Sequence, residues 1–240
     1  MPDPYLLLWL EAPLQAWGHD SRFGRRDSLT FPTKSGVLGL LFCAMGWGGE
    51  RREELAELAG LDMRVAAYVP LDGKKEPKPQ PRQPLLRDFH MVGSGYNDSD
   101  SWETLLIPKK SDGTKAVGGG TKMTYRYYLQ DMAFAVALQV PEDRAKEFAK
   151  ALQNPVWSLY LGRKNCVPSE QIFHGEFPDV TAALQYATEF AEKKERALVF
   201  NVLQGEHEGD EELTLNDVPV QFGTDKRYRD RRVTLMYESG

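Results

Sequence analysis

The chain has 240 residues, 41% hydrophobic and 27% charged, with a net charge of −5. That is the composition of a soluble globular protein with an ample core, in one large or two modest domains. The net acidity argues against indiscriminate polyanion binding. The two cysteines, Cys43 and Cys166, with no CxxC or Cys/His cluster, argue against a structural zinc site.

Residues 5–11 (YLLLWLE) read as a buried strand. The apolar run is too short to span a membrane, and Asp3 stands where an export signal would carry a cation, so the expected location is the cytoplasm. Next comes RFGRRDSLTFPTKSGVLGLLFCAMGW (22–47). Three arginines, Arg22, Arg25 and Arg26, precede a Pro-Thr-Lys-Ser-Gly turn that opens a helix over 35–47, apolar almost all round. A helix start presents unpaired N–H groups and the positive dipole end, so Thr33, Lys34 and Ser35 form a candidate phosphate seat. The plainer reading makes Thr33 or Ser35 an N-cap. Residues 50–59 predict a second helix ended by Gly60, and 62–69 a strand stopped by Pro70.

A long interval, about 71–130, then separates this strand from the next. It contains a Pro-rich basic stretch (73–84), an apolar stretch LLRDFHMVGSGY (85–96), a polar Gly-rich stretch (97–120), and TKMTYRYYLQ (121–130), which mixes aromatics with cations. Loops of such length are usually functional or disordered. The aromatic content at both ends points to an arm that leaves the domain and returns. Its candidate RNA contacts are Lys122, Tyr125 and Arg126, together with Arg87 and His90, which either hold a base or order the arm; Phe89 and Met91 read as packing residues or as a wedge between nucleotides.

Residues 131–140 predict a strand, 141–154 a helix with acids in its first turn, and 156–161 (VWSLYL) a further strand. Arg163 and Lys164 in the following turn suit a phosphate or a subunit contact. The order β-α-β, arm, β-α-β is that of a ferredoxin-like α+β domain over 1–165. Residues 166–240 read as a smaller β-rich unit: a helix over 177–190 capped by Asp179, and strands at 196–204, 219–223 and 231–238. The turn cluster Arg229, Arg231 and Arg232 reads as solvated or subunit-facing. Acids concentrate in 205–217. The strand 131–140 lacks the aromatic pattern of an RNA-recognition motif, so loops and arm, rather than an open sheet face, would have to meet RNA. GTKAVGGGTK and VGSGYN fail the spacing of phosphate-loop and dinucleotide motifs, and the four histidines have no metal spacing. No cofactor or metal is expected.

LEAPLQAWG (10–18), FGRRDSLTFPTKSGVLGLL (23–41), LRDFHMV (86–92), YRYYLQDMAFAVAL (125–138), VWSLYLGRKNCVPSEQIF (156–173) and NDVPV…YRDRRV (216–233) occur in an order that resembles the CasD family. These are type I-E CRISPR-associated proteins that cap the 5′ handle of the guide RNA in Cascade, the ribonucleoprotein of antiviral defence. The resemblance implies a RAMP-type ferredoxin-like domain with a thumb-like arm between its second and third strands. It also implies binding of the repeat-derived 5′ end of crRNA, contacts to the backbone and large subunits, DNA met only through the assembled complex, and no catalysis. Relatives in type I-C systems cut RNA. The alternative is therefore a metal-independent endoribonuclease, with His90 or Tyr125 as general acid/base and Lys122 stabilising developing charge.

Overall fold

The computed structural model describes residues 3–18, 24–92, 99–106, 109–114 and 122–238, without the side chains of residues 92, 103, 104, 106 and 122. Its elements in chain order begin with β1 (Tyr5–Glu11), β2 (Leu14–Gln15), β3 (Arg25–Arg26), α1 (Lys34–Met45), α2 (Arg52–Ala59) and β4 (Met63–Pro70). β5 (Leu86–Val92), α3 (Ser101–Leu106), β6 (Lys122–Gln130), β7 (Ala133–Gln139), α4 (Ala145–Gln153) and β8 (Phe173–Phe177) follow. α5 (Val180–Lys193), β9 (Arg196–Gln204), β10 (Glu211–Gln221) and β11 (Arg227–Tyr237) complete the chain. Among these residues no helix is long and apolar enough to cross a membrane.

The fold is α+β. Seven strands form one antiparallel sheet in the order β10-β11-β9-β4-β7-β1-β8. The central strands are apolar on both faces because both faces are covered. Leu6, Leu8 and Leu10 of β1 and Phe134, Val136 and Leu138 of β7 join α1 and α4 in the larger core. Leu7 and Trp9, with Ala133 and Ala135, point the other way and meet Ala187 and Ala191 of α5. Alternation along a strand separates these two sets. Small alanines one helical turn apart let α5 lie close to the sheet. The face that an RNA-recognition motif would leave open is thus closed by a helix.

Two expectations change here. Residues 156–161 are not a strand. The Val156 and Trp157 N–H groups donate to the carbonyls of Ala44 and Cys43 at 2.9 and 3.3 Å, closing the C-terminus of α1, where Gly46 adopts φ 69°. The strand that flanks β1 is β8 instead. Nor do residues 166–240 form a sheet of their own. β9 pairs with β4 from Val65 to Pro70, an edge that would otherwise expose apolar backbone, and β11 and β10 extend the same sheet outward. Much of the acidic run is strand β10, paired with the cation-rich β11.

The interval between β4 and β7 carries a second, smaller sheet. β6 is its centre: it pairs antiparallel with β5 along most of its length, antiparallel with β2 at Leu129 and Gln130, and parallel with β3 at Tyr125 and Arg126. The Pro-rich stretch before β5 is anchored. Gln80 N–H donates to Pro70 O at 2.9 Å, and the Gln130 amide donates to Pro84 O at 2.8 Å.

Candidate nucleic-acid interface

The β5–β6 ribbon has two chemically distinct faces, set by its register. Asp88 lies opposite Arg126, His90 opposite Thr124, and Leu86 opposite Tyr128. Between them, Arg87 pairs with Tyr127, Phe89 with Tyr125, and Met91 with Met123. Cross-strand partners share a face, and successive residues alternate. One face therefore carries Arg87, Phe89, Met91, Met123 and Tyr125. There the Arg87 guanidinium lies over the Tyr125 ring at 5.6 Å, and Phe89 sits 5.3 Å from that ring. The opposite face carries Asp88, His90 and Arg126 and borders a cleft of about 620 Å³.

The far side of that cleft is the loop 162–165, with Arg26 of β3 at its edge. Two devices hold the loop in place. Gly162 has φ 97° and packs so tightly that a Cβ there would lie 1.7 Å from Ala16 O, so only glycine fits. Arg163 turns its guanidinium inward: it donates to Tyr127 O at 3.0 Å and Arg26 O at 2.8 Å, and lies 4.6 Å over the Tyr128 ring. Arg163 thus ties the loop to β3 and β6, and these bonds occupy much of its donor capacity.

Arg26, Arg126 and Lys164 line the cleft without an ion pair among the described residues. His90 is in the cleft, with Nδ1 3.9 Å from Asp88 Oδ2. Arg25 points elsewhere. Its Nε–H is shared between the two Asp27 carboxylate oxygens at 2.9 and 2.8 Å, its guanidinium lies over the Tyr127 ring at 5.0 Å, and the Asp27 hydrogen bond and charge push its pKa upward. Tyr125 is on the opposite ribbon face from His90, so these two do not converge on one phosphate. Arg22 lies outside the described residues, as does the Lys122 side chain.

The helix start differs from expectation, for a clear electrostatic reason. Thr33 caps α1 through its hydroxyl, which accepts from Gly36 N–H at 3.1 Å, and it is buried. Lys34 is fully buried. Its ammonium donates to Ala59 O at 2.9 Å, to Gln204 Oε1 at 3.1 Å and to Leu61 O. Its backbone N–H donates to Asp217 Oδ2 at 2.7 Å, and Asp217 is itself held by Arg231 at 2.7 and 2.8 Å. The anion at this helix start is therefore a carboxylate of the protein, and Lys34 cannot reach a phosphate. Burial, and then the charge of Arg231, bring the Lys34 pKa down to about 8. Ser35 alone of the three lies on the half-buried side of α1. Sequence reasoning missed Asp217, hidden inside an acidic run, and left Arg231 in a solvated turn. Its side chain is 7% exposed. No local pattern signals this pairing, because the partners lie on neighbouring strands.

A family model described as CRISPR-associated protein (Cas_Cas5) matches residues 5–234. The chain belongs to this family. Its curated relative, the CRISPR system Cascade subunit CasD of Escherichia coli (strain K12), is 32% identical over 177 residues, which is 71% of this chain and 70% of that protein. Among solved structures, a chain of a CRISPR RNA-guided surveillance complex matches with a TM-score of 0.69 and 28% identity, covering 97% of this chain and 89% of that one. A second, titled as the crystal structure of a Cas protein, matches with a TM-score of 0.60 and 28% identity, covering 98% and 94%. The cleft and its clamped loop lie within the span that the family model matches.

Proposed function

We propose that this Cas5-family chain is the crRNA-binding subunit of a type I-E Cascade. It holds the repeat-derived 5′ handle and bridges the backbone and large subunits, in the cytoplasm. The observation that carries this reading is the cleft: Arg26 and Arg126 face a rigid glycine-turned loop that carries Lys164, and none of these three cations has an ion pair among the described residues. Cations left unpaired beside a concave wall suit phosphates, and the His90 ring adds an edge for a splayed base. In the fold, the strand order β8-β1-β7-β4 fits a ferredoxin-like unit that takes its flanking strand from β8 (Phe173–Phe177), beyond the expected boundary at 165, with the β5–β6 ribbon as its thumb, inserted over about 71–130. The C-terminal strands act as a lateral extension of that unit.

The binding role is favoured over RNA cleavage by the separation of His90 and Tyr125 onto opposite ribbon faces. A cleavage mechanism that paired these two as general acid and general base would need both at one phosphate. The test is to incubate the protein with end-labelled repeat RNA in EDTA, run a denaturing gel, and measure binding in parallel. Intact RNA, bound tightly with partner subunits present and weakly by Arg26→Glu/Arg126→Glu, supports the proposal. A discrete cut that is lost in His90→Ala overturns it.

A further inference from the structure

The insertion leaves the large sheet after Pro70 and returns to it through Gln130, Asp131 and Met132, and one residue meets both crossings. Arg196, the first residue of β9, lies opposite Pro70 in the β4–β9 register, and Leu71 N–H donates to the carbonyl of the preceding Glu195 at 2.9 Å. The Arg196 guanidinium reaches the return crossing: it donates to Asp131 O at 3.0 Å and to Glu11 Oε1, at the end of β1, at 2.8 Å. Only 8% of the Arg196 side chain and 11% of the Glu11 side chain is exposed. Glu11 Oε2 accepts from the Trp9 indole at 2.7 Å, with the Lys194 ammonium 3.5 Å away. Burial works against a charged Glu11, yet the bonds from Trp9 and Arg196 hold its carboxyl below the ordinary carboxylate range, so the pair is ionised. Neither Glu11 nor Arg196 lines the ribbon cleft.

An ion pair this buried is a weak source of stability, because desolvating both charges offsets most of their attraction. What it supplies is direction. A guanidinium forked between two acceptors fixes the angle between the elements that carry them, whereas apolar contact fixes only how closely they approach. The backbone around it is strained as well. Asp131 and Glu195 adopt φ of 50° and 53°, two of the three non-glycine residues with positive φ among the described residues. Such conformations persist where the surroundings over-determine them. Asp131 accepts from Arg196, and Glu195 precedes it in the chain. The buried Gln15 amide secures the same corner, donating to Met132 O at 2.7 Å and to Leu10 O at 3.1 Å.

We infer that Arg196, paired with Glu11, is a positioning residue for RNA binding: it sets the angle at which the β5–β6 ribbon stands against the loop 162–165, and touches no RNA itself. The inference rests on the RNA-binding reading of the cleft. A ribbon held at the binding angle in advance need not be ordered when RNA arrives, and affinity falls in proportion to the time a loosened ribbon spends at other angles.

Two variants test this. Glu11→Gln/Arg196→Met removes both charges, keeps an acceptor for the Trp9 indole and retains an apolar stem, so it should melt close to the parent. Arg196→Lys keeps a charge opposite Glu11 but loses the forked reach to Asp131 O. Spin labels at Met91→Cys on the ribbon and Glu189→Cys on α5 report the ribbon angle, without RNA, by pulsed electron-resonance distance measurement. Both sites are exposed, Cys43→Ser removes the half-buried thiol, and Cys166 is buried. The parent should give one narrow distance distribution, the double variant a broad one, and Arg196→Lys one in between. Affinity for single-stranded repeat RNA should fall about fivefold in the double variant and less in Arg196→Lys, with the salt slope unchanged because no phosphate contact is lost. Should the double variant not fold, Arg196→Lys carries both measurements. A distribution as narrow as the parent's overturns the inference, whatever the RNA does. A reduced salt slope in the double variant also overturns it, by making Arg196 a phosphate ligand. A broad distribution with parental affinity, while Arg26→Glu/Arg126→Glu binds weakly, removes Arg196 from RNA binding and leaves the cleft standing. If Arg26→Glu/Arg126→Glu also binds as the parent does, the cleft reading has failed and the positioning role falls with it.

Discussion

Lys34 and Arg231 on one side, and Arg26 and Arg126 on the other, are cations in basic stretches of the same chain, and the fold puts them to opposite uses. Lys34 and Arg231 are enclosed: carbonyls, an amide and the Asp217 carboxylate meet them inside the protein and join α1 to the end of β9 and to the middle of β10 and β11. Arg26 and Arg126 line a cleft, and neither side chain has an ion pair or hydrogen bond among the described residues. A cation is available to a ligand only where the fold has not already supplied its counter-charge, and composition cannot show which case applies. The cost of error also differs. A buried ion pair that loses one partner leaves an uncompensated charge in a poor solvent, whereas an exposed cation that is removed leaves only water behind.

This contrast can be broken in four ways. The largest effect should come from Asp217→Ala, which strands the buried Arg231 guanidinium and the Lys34 N–H. A loss of about 3–5 kcal/mol in urea unfolding is expected, and a loss under about 1 kcal/mol would show that the cluster is not a structural anchor. Next is the pH profile. The Lys34 pKa of about 8 lies below the ordinary 10.5, so between those values the unfolded chain holds a proton that the folded protein has released. Stability from this group therefore rises as pH climbs from about 8 to about 10.5, by as much as ~3 kcal/mol, and is constant below that window. Burial raises the thiol pKa values of Cys43 and Cys166 and works in the opposite direction, so the difference between the parent and Lys34→Met isolates the effect. Equal pH slopes for the two proteins would refute a buried, charged Lys34.

Arg163→Lys comes third. It keeps the charge but not the two-carbonyl clamp, at a cost of about 1.5 kcal/mol. RNA affinity should fall while the salt slope stays unchanged, with faster amide exchange around residues 25–26 and 127. A reduced salt slope would instead make Arg163 a phosphate ligand. Last, Arg26→Glu/Arg126→Glu should change stability by no more than ~0.5 kcal/mol while reducing the salt slope of RNA binding by about two. Unfolding of this double variant would place the two arginines in the structural class.

The local elements were legible because their signals are local. YLLLWLE could only be a strand buried on both faces once a helix covered each side. The Asp179 cap of α5 is present, its carboxylate accepting from Ala182 N–H at 2.8 Å, and the acidic first turn at 142–147 does begin a helical segment. The ribbon was foreshadowed by the alternation of aromatics and cations in 121–130. VWSLYL misled because apolar content does not distinguish a strand from a segment whose N–H groups close a helix end. Thr33 was correctly weighed as a cap, while Lys34 was placed outside because its neighbours in sequence are polar and its neighbours in space were unknown.

The sequence by itself determined the α+β class, the positions of most helices and strands, the long insertion with its basic aromatic return, and the family resemblance. Each of these follows from periodicity, capping or motif order within a short stretch. Only the tertiary structure decided that residues 173–237 extend one sheet, that Asp217 occupies the start of α1, that Arg163 is a clamp, and that Arg196 meets both ends of the insertion. Those outcomes depend on hydrogen bonds and charges between residues far apart in the chain, where the energy of each group is set by what the fold brings within about 3 Å of it.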